Sequence, residues 1–564
     1  MNVAFDRCLN FAELTELLKS WAAEYPDLFE LSSIGNSYEG RPLWLATVTN
    51  RATGPGSEKP ALWVDAHIHS IEGASSVAAV HLLYRLLSGF GRDMRVTHAL
   101  DTRCFHVVPR LSPDGAERYL ASPADNPRSS TRPYPRDEEG DGLIAEDMDG
   151  DGRVLTMRVP DGNGNWKVYE PEPRLLVPRL PEQDEPGPYY RLVREGRIRN
   201  YDGVTIAGAP TRYGLDLNRN YPADWRPEPD QEGAGPYPTS EPEVRAAVAA
   251  IVERPNICAF IQLHTMSGVH LRPYGTKADD ALPNVDRLAF EAIGAQATEL
   301  TGYPAVSVFH GYRYNRKRVE TGMAVDWAYD HLGVHSWATE LWNPQRAAGI
   351  TDLRFPDWGI SHPVADDLKL LAWSDRELGG RAFVDWYPFE HPQLGPVDLG
   401  GWDVPYFWTN PPPELMEAEI APHSEFALHH ALISPRLKVR EVETTRMEGD
   451  VWRVRVVVEN TGWLPTNVTQ RAIERGLVGP VVAAIDISAD YGAEVLGPTW
   501  VAIGQLGGRF LKNSMIFTFG ATSDSTSDRA KADWLVRAPS QTRGEIKISH
   551  PRAGVVRVGI QLGP

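Results

Sequence analysis

A mixed, twisted α/β sheet flanked by helices, followed by a C-terminal all-β sandwich module, is the architecture this sequence predicts. Three observations carry it. Over residues 1–120, and again from 240 to 380, short apolar runs alternate with stretches of helical periodicity, the pattern of a sheet with helices on its faces. After Pro435 that rhythm gives way to short alternating strands broken by Gly, Asn and Asp, as in a sandwich. A chain of 564 residues also exceeds what one core usually serves, so two domains are expected, 1–435 and 436–564.

The elements follow in order. "FAELTELLKSWAAEY" has helical spacing and "PLWLATVTN" reads as a strand. "ALWVDA" and "CFHVVPRL" are apolar runs that read as buried strands, separated by the long amphipathic helix "SSVAAVHLLYRLLSGF". Residues 121–212 are rich in Pro, Asp, Glu, Gly and Arg and read as an irregular excursion lying on the surface. "TSEPEVRAAVAAIVE" opens with Ser240 and Glu243 at capping-box spacing and continues as a helix. "ICAFIQLH" is a buried strand, 279–300 a helix, "HSWATEL" a strand and "VADDLKLLAWSDRELGG" a helix. Residues 380–435, rich in Pro, Gly and Trp, read as a connector. "LKVREVETTR", "VWRVRVVVENTG", "VVAAIDIS" and "EIKISH…GVVRVGIQL" are the strands of the last module. No internal repeat is visible.

Composition narrows the function. A formal net charge of −18 argues against nucleic-acid or anionic-membrane partners, which need basic patches. The three cysteines, Cys8, Cys104 and Cys258, are scattered, which excludes a disulfide scaffold. The opening residues carry no signal-peptide pattern and no window is apolar enough to span a membrane, so a cytoplasmic location is expected.

The chemistry centres on "VDAHIHSIEGASS", residues 64–76. His67 and His69 form an H-x-H pair of the kind found at strand ends in amidohydrolase barrels. His69 and Glu72 form an H-x-x-E pair between a buried strand and a long helix, where both side chains project into a cleft at the carboxyl edge of a sheet. Zinc accepts N and O donors and a catalytic site needs three protein ligands plus an open position. His264, ending the strand "ICAFIQLH", is the best third ligand; His270 competes but lies in the following segment. "YGLDLNRNYPADW" holds Asn218 and Arg219, suited to gripping a carboxylate. Glu340 ends the strand "HSWATEL" and is placed to act as a general base.

Taken in order, "IGNSYEGRPL", H-S-I-E, "SPDG", "LNRN", "QLHTMSG…PYG", "VDW" and "ATEL" resemble the zinc metallocarboxypeptidases of the carboxypeptidase A/B type (peptidase family M14). The resemblance implies that His69, Glu72 and His264 hold one Zn²⁺ per chain, with a water as fourth ligand. It implies Glu340 as the base that activates the water, and Asn218 and Arg219 as the grip on a C-terminal carboxylate. An oxyanion-stabilising arginine belongs between "PDG" and "NRN"; Arg158 in "LTMRVP" is the choice, with Arg128, Arg132 and Arg136 as rivals. The family's substrate tyrosine belongs eight residues before Asp326, where Arg318 stands, so a small gap assigns the role to Tyr314. Val325 resembles the floor of the side-chain pocket and implies apolar terminal residues, with Met323 and Glu320 near it.

Alternatives remain. The amidohydrolase reading needs eight alternations of strand and helix that residues 121–212 and 380–435 interrupt, which leaves His67 packed in the interior or supporting a ligand from behind. A deacylase or amidase acting on acylated amino acids, or on γ-glutamyl or cell-wall peptides, fits the same residues. A catalytically silent binding protein fits poorly with three apparent ligands and Glu340. Neither a G-x-S-x-G elbow nor a P-loop is present. "EDMDGDGRV" places Asp147, Asp149 and Asp151 before Gly152 like the start of a calcium loop, a candidate Ca²⁺ site whose twelfth position is Arg158 where glutamate is required.

Overall fold

The computed structural model describes residues 3–563 apart from 184–186, 352, 488–491 and 511–523. Its centre is an eight-stranded mixed sheet. In spatial order the strands are Phe29–Asn36, Pro42–Val48, Cys104–Val108, Ala61–Ala66, Ile257–Thr265, His335–Leu341, Val269–Arg272 and Ala305–Ser307. Four consecutive strands, from Cys104–Val108 to His335–Leu341, run parallel. Such strands are covered on both faces, so their sequences are apolar throughout. "ALWVDA" and "ICAFIQLHT" are accordingly buried at every position.

Helix Gly73–Gly89 covers one face and is itself covered by helix Pro413–Leu432, which explains why it is apolar almost all round. That outer helix lies inside residues 380–435, so the connector expected there is an error. Its Pro422 and its buried His423, Ser424 and His430 hide the periodicity, and its partner helix is more than 300 residues away in sequence. The capping box at Ser240 and Glu243 is also not formed. Pro242 takes the first helical position, and Ser240 donates to the Glu241 carboxylate (2.7 Å). A true capping box stands at Asn10 and Glu13, where each side chain accepts from the other's backbone N–H at 2.9 Å.

Residues 121–212 are not irregular throughout. Their strands Thr156–Pro160, Trp166–Val168, Leu176–Pro178 and Tyr189–Arg194 join Phe383–His391 and Gly395–Trp402 in a six-stranded antiparallel sheet. One set of pieces interrupts the central sheet's sequence and the other follows it, and most of the strands are only partly buried, so neither set shows a clear strand signal alone.

From Leu437 onward two four-stranded antiparallel sheets face each other. Val454, Val456, Trp534 and Val536 from one and Val481, Ile485, Ile546 and Ile548 from the other share a single core, which makes a sandwich. A short helix, Gln470–Glu474, leans back on the first part of the chain. Asp286 accepts from the N–H groups of Gln470 (2.7 Å) and Arg471 (3.0 Å), and Arg471 donates to Asp330 at 2.9 Å. Among the described residues no helix is long and apolar enough to cross a membrane.

Candidate active site

The carboxyl ends of three adjacent parallel strands, Ala61–Ala66, Ile257–Thr265 and His335–Leu341, open into one cleft. His69 and Glu72 lie on the turn after the first, His264 near the end of the second, and Glu340 opposite His264 in register on the third. The backbone bends sharply at His67, whose φ is 55°, and its N–H donates to Ser75 Oγ (3.0 Å).

His69, Glu72 and His264 are 3%, 4% and 1% exposed, and their donor atoms converge. His69 Nδ1 lies 2.7 Å from Glu72 Oε1, His264 Nδ1 lies 3.1 Å from Glu72 Oε2, and the two Nδ1 atoms are 3.3 Å apart. The opposite ring nitrogens fix the tautomers. His69 Nε2 donates to Asp216 Oδ1 (3.0 Å), since a carboxylate only accepts. Gln262 donates its amide to Asp65 (2.8 Å), which turns its carbonyl oxygen toward His264 Nε2–H at 2.8 Å. Both Nδ1 atoms therefore present lone pairs to each other and to a carboxylate. That arrangement is repulsive unless a proton on a ring or a metal ion sits between the groups. A tetrahedral ion with bonds of about 2.0–2.1 Å spaces its donors about 3.3 Å apart, so the set fits Zn²⁺.

Burial alone would raise Glu72, but His69 and His264 pull it below the ordinary carboxylate range. Burial likewise opposes the charge on Asp216, and Arg128, His69 and Arg219 outweigh it, holding Asp216 well below that range. Glu340 shifts the other way. Loss of water in the cleft and then the Glu72 carboxylate raise it well above the usual value, against Arg128 and Arg219.

His67 faces elsewhere. Its Nε2 lies 3.0 Å from the carbonyl of Ser70, and burial lowers its pKa to about 3. His270 is also packed away, between Thr339 Oγ1 and Thr301 Oγ1 at 2.9 Å each. Neither ring joins the three ligand-type residues.

The cavity over this triad has a volume of about 260 Å³ and brings Asn218, Arg219, Tyr314, Val325 and Glu340 together with it. Asn218 Oδ1 is taken by the N–H of Ala324 (2.9 Å), so the side chain presents its NH₂ donors to the cavity. Val325 is buried in the apolar wall beside Leu271, Val308 and Ala338. Tyr314 stands at the rim, 54% exposed, edge-on to Tyr312.

Arg158 is not in the cleft. It belongs to strand Thr156–Pro160 of the six-stranded sheet, donates to Asp398 (2.9 Å) and lies over the rings of Tyr190 and Trp386. Arg128 lines the cleft instead, donating from Nε to Asp216 (3.0 Å) with Nη1 3.6 Å from Glu72. Its backbone is fixed because Ser70 N–H donates to the Arg128 carbonyl (3.0 Å), while Ser70 Oγ and Ser112 Oγ donate to the carbonyl of Ser129. A Cβ at Gly115 would stand 2.0 Å from that carbonyl, which is why glycine occupies the "SPDG" turn. Arg132 is engaged by Glu241 (2.9 Å).

Sequence reasoning missed Asp216 and Gln262, which orient the two histidines; both stand two residues from a residue it did select. It had no signal for preferring Arg128, which lies in a polar stretch without periodicity. Asp147, Asp149 and Asp151 do cluster, but as a turn that closes on itself. Asp147 accepts from the N–H groups of Gly150 (2.7 Å) and Gly152 (2.8 Å), and Asp151 pairs with Arg153 (2.6 Å).

Two histidines with fixed tautomers and a glutamate, with a carboxylate across from them and two arginines beside them, make a metal-binding type of site at a sheet edge. Residues 14–357 match the zinc carboxypeptidase family (Peptidase_M14), and the chain belongs to it. Residues 436–561 match a domain of unknown function (DUF8731). Similar proteins include carboxypeptidase A2 of Rattus norvegicus, 26% identical over 348 residues, 60% of this chain and 64% of that protein. Carboxypeptidase A4 of Mus musculus is 25% identical over 343 residues, 57% and 60% of the two chains. The chain thus spans under two thirds of the length of these relatives. A crystal structure of carboxypeptidase A from Helicoverpa armigera aligns with a TM-score of 0.40 and 17% identity, over 66% of this chain and 74% of that one.

Proposed function

We propose that the protein is a zinc metallocarboxypeptidase that hydrolyses the C-terminal peptide bond of peptides. The observation that carries this reading is one cavity holding the ligand triad, the Glu340 carboxylate and the Asn218–Arg219 donors together. His69, Glu72 and His264 would hold the ion. Zinc there supplies Lewis acidity, bringing the pKa of a water toward about 7 and polarising a carbonyl.

The chain's own groups do the rest. Asn218 and Arg219 hold the terminal carboxylate and so place the last peptide bond over the triad. Glu340 takes a proton from the attacking water and gives it to the departing amine, a role its raised pKa suits. Arg128 donates to the oxygen that gains charge as the carbonyl is attacked. Tyr314 covers the bound end from the rim, and the apolar wall around Val325 receives the terminal side chain.

The test is metal analysis together with hydrolysis of blocked dipeptides. One zinc per chain, cleavage that disappears when the substrate's C-terminus is amidated, and loss of turnover in Glu340→Gln with zinc retained are expected. Undiminished cleavage by Glu340→Gln would overturn the assignment of the base, and equal cleavage of amidated substrates would point to an amidase.

A further inference from the structure

Arg219 already carries a carboxylate. Its Nη2 is 2.9 Å from Glu320 Oε2, and its Nη1 donates to the carbonyl of Asn218 at 3.0 Å. Glu320 is not a surface chain that happens to fold over. The segment that follows it is tied to the segment carrying Arg219 at four points. Thr321 N–H donates to Gln231 Oε1 (3.0 Å), Gly322 N–H to the Ala223 carbonyl (3.0 Å), Tyr221 N–H to the Gly322 carbonyl (3.0 Å) and Ala324 N–H to Asn218 (2.9 Å). The approach is so close that a Cβ at Gly322, whose φ is +68°, would meet the Arg219 carbonyl oxygen at 2.1 Å. The backbone that carries Glu320 is therefore held close to Arg219.

A guanidinium has five N–H groups, and the remaining ones can still take a substrate carboxylate. Two carboxylates on one guanidinium repel each other unless a second cation joins them. Glu320 also lines a second, polar cavity of about 550 Å³ that shares Arg128, Arg219 and Glu320 with the first and is bordered besides by Arg318, Asp230 and Glu232. There is room beside the Arg219–Glu320 pair for a further charged group.

We propose that Glu320 is a specificity-determining residue that makes the cleft select a terminal residue bearing a positive group alongside its carboxylate. The inference rests on Arg219 gripping the terminal carboxylate. It revises the preference implied by Val325 alone: the apolar wall packs the aliphatic stem of a lysine-like side chain, and Glu320 takes the ammonium. For a terminal residue without a cation, Glu320 acts as a built-in competitor for Arg219.

Two measurements test this on the zinc-loaded protein. In the first, kcat and KM are compared for blocked dipeptides ending in lysine, ornithine and leucine, in the wild type, Glu320→Gln and Glu320→Asp. In the second, calorimetry measures binding of free L-lysine and L-leucine to the same three proteins. The wild type is expected to favour the cationic residues in both. Glu320→Gln is expected to lose about tenfold of that preference, partly through a lower KM for leucine, and Glu320→Asp to keep part of it. An unchanged lysine-to-leucine ratio in Glu320→Gln, or a wild type that favours leucine in both assays, overturns the proposal. No cleavage of any dipeptide, with lysine binding still dependent on Glu320, would sink the reaction while supporting the selectivity.

Discussion

Asp216 holds two side chains at once, the ring of His69 and the guanidinium of Arg128. Asp216→Asn can satisfy His69 only through its carbonyl oxygen and loses the charge that fixes Arg128. Zinc affinity is expected to fall about 10–100-fold, a range typical of such supporting carboxylates, as measured by competition with a chelator. Arg128→Ala should lower kcat by about 10²–10³-fold with KM for the terminal residue little changed, the mark of a group that acts on developing charge. Arg158→Ala provides the contrast. Its partners are Asp398, Tyr190 and Trp386, so steady-state activity should be retained while the melting temperature drops. Equal losses in the two variants would remove the assignment of Arg128.

At the scale of elements, helix Pro413–Leu432 and the sheet beneath it enclose a set of neutral histidines. His270, His335 and His430 are each pushed down to about 3 by burial, and His423 lies well below its usual value. His423 packs against Tyr303 and His270, and His430 Nε2 donates to the carbonyl of His335 (3.1 Å). In the unfolded chain these rings titrate near 6.5. Between that value and about 3 the unfolded state binds more protons, so stability is full above pH 6.5 and declines as the pH falls. Each histidine steepens the decline by about 1.4 kcal/mol per pH unit. Denaturant midpoints at pH 7.5, 6 and 5 should fall steeply, and a flat profile would contradict it.

That helix also marks where sequence reasoning stopped. The parallel strands were legible because double burial leaves continuous apolar runs, and the H-x-x-E turn was legible because it joins such a strand to a helix. The outer helix and the six-stranded sheet were not, because both depend on partners hundreds of residues distant and neither keeps a clean period. The same holds within the site. His69, Glu72, His264 and Glu340 occupy strand ends that a sequence displays, whereas Arg128 is positioned by the carbonyl contacts of Ser70 and Ser129, which no local pattern encodes.

For the whole molecule, the sandwich is fastened to the turn that feeds the strand bearing Glu340. Thr469 Oγ1 donates to the Gly333 carbonyl (2.7 Å), Arg552 donates to the same carbonyl (3.0 Å) and also to that of Leu332. Arg552 is only 6% exposed. Arg552→Ala removes the donor to the Leu332 and Asn467 carbonyls and leaves Gly333 with Thr469 alone, and a loss of about 2–4 kcal/mol is expected in equilibrium unfolding, with the two halves still melting together. Truncation after residue 435 should give a product that does not accumulate as a soluble, zinc-retaining protein; recovery of such a product at wild-type activity would show the fastening to be dispensable.

The same contacts set an order for biogenesis. A ribosome releases the strand that bears Glu340 some two hundred residues before it releases Arg552, so the nascent chain must hold the Leu332–Gly333 turn without those donors. The site proposed to cleave peptides should therefore mature late, only after the Arg543–Gln561 hairpin has emerged and closed over that turn.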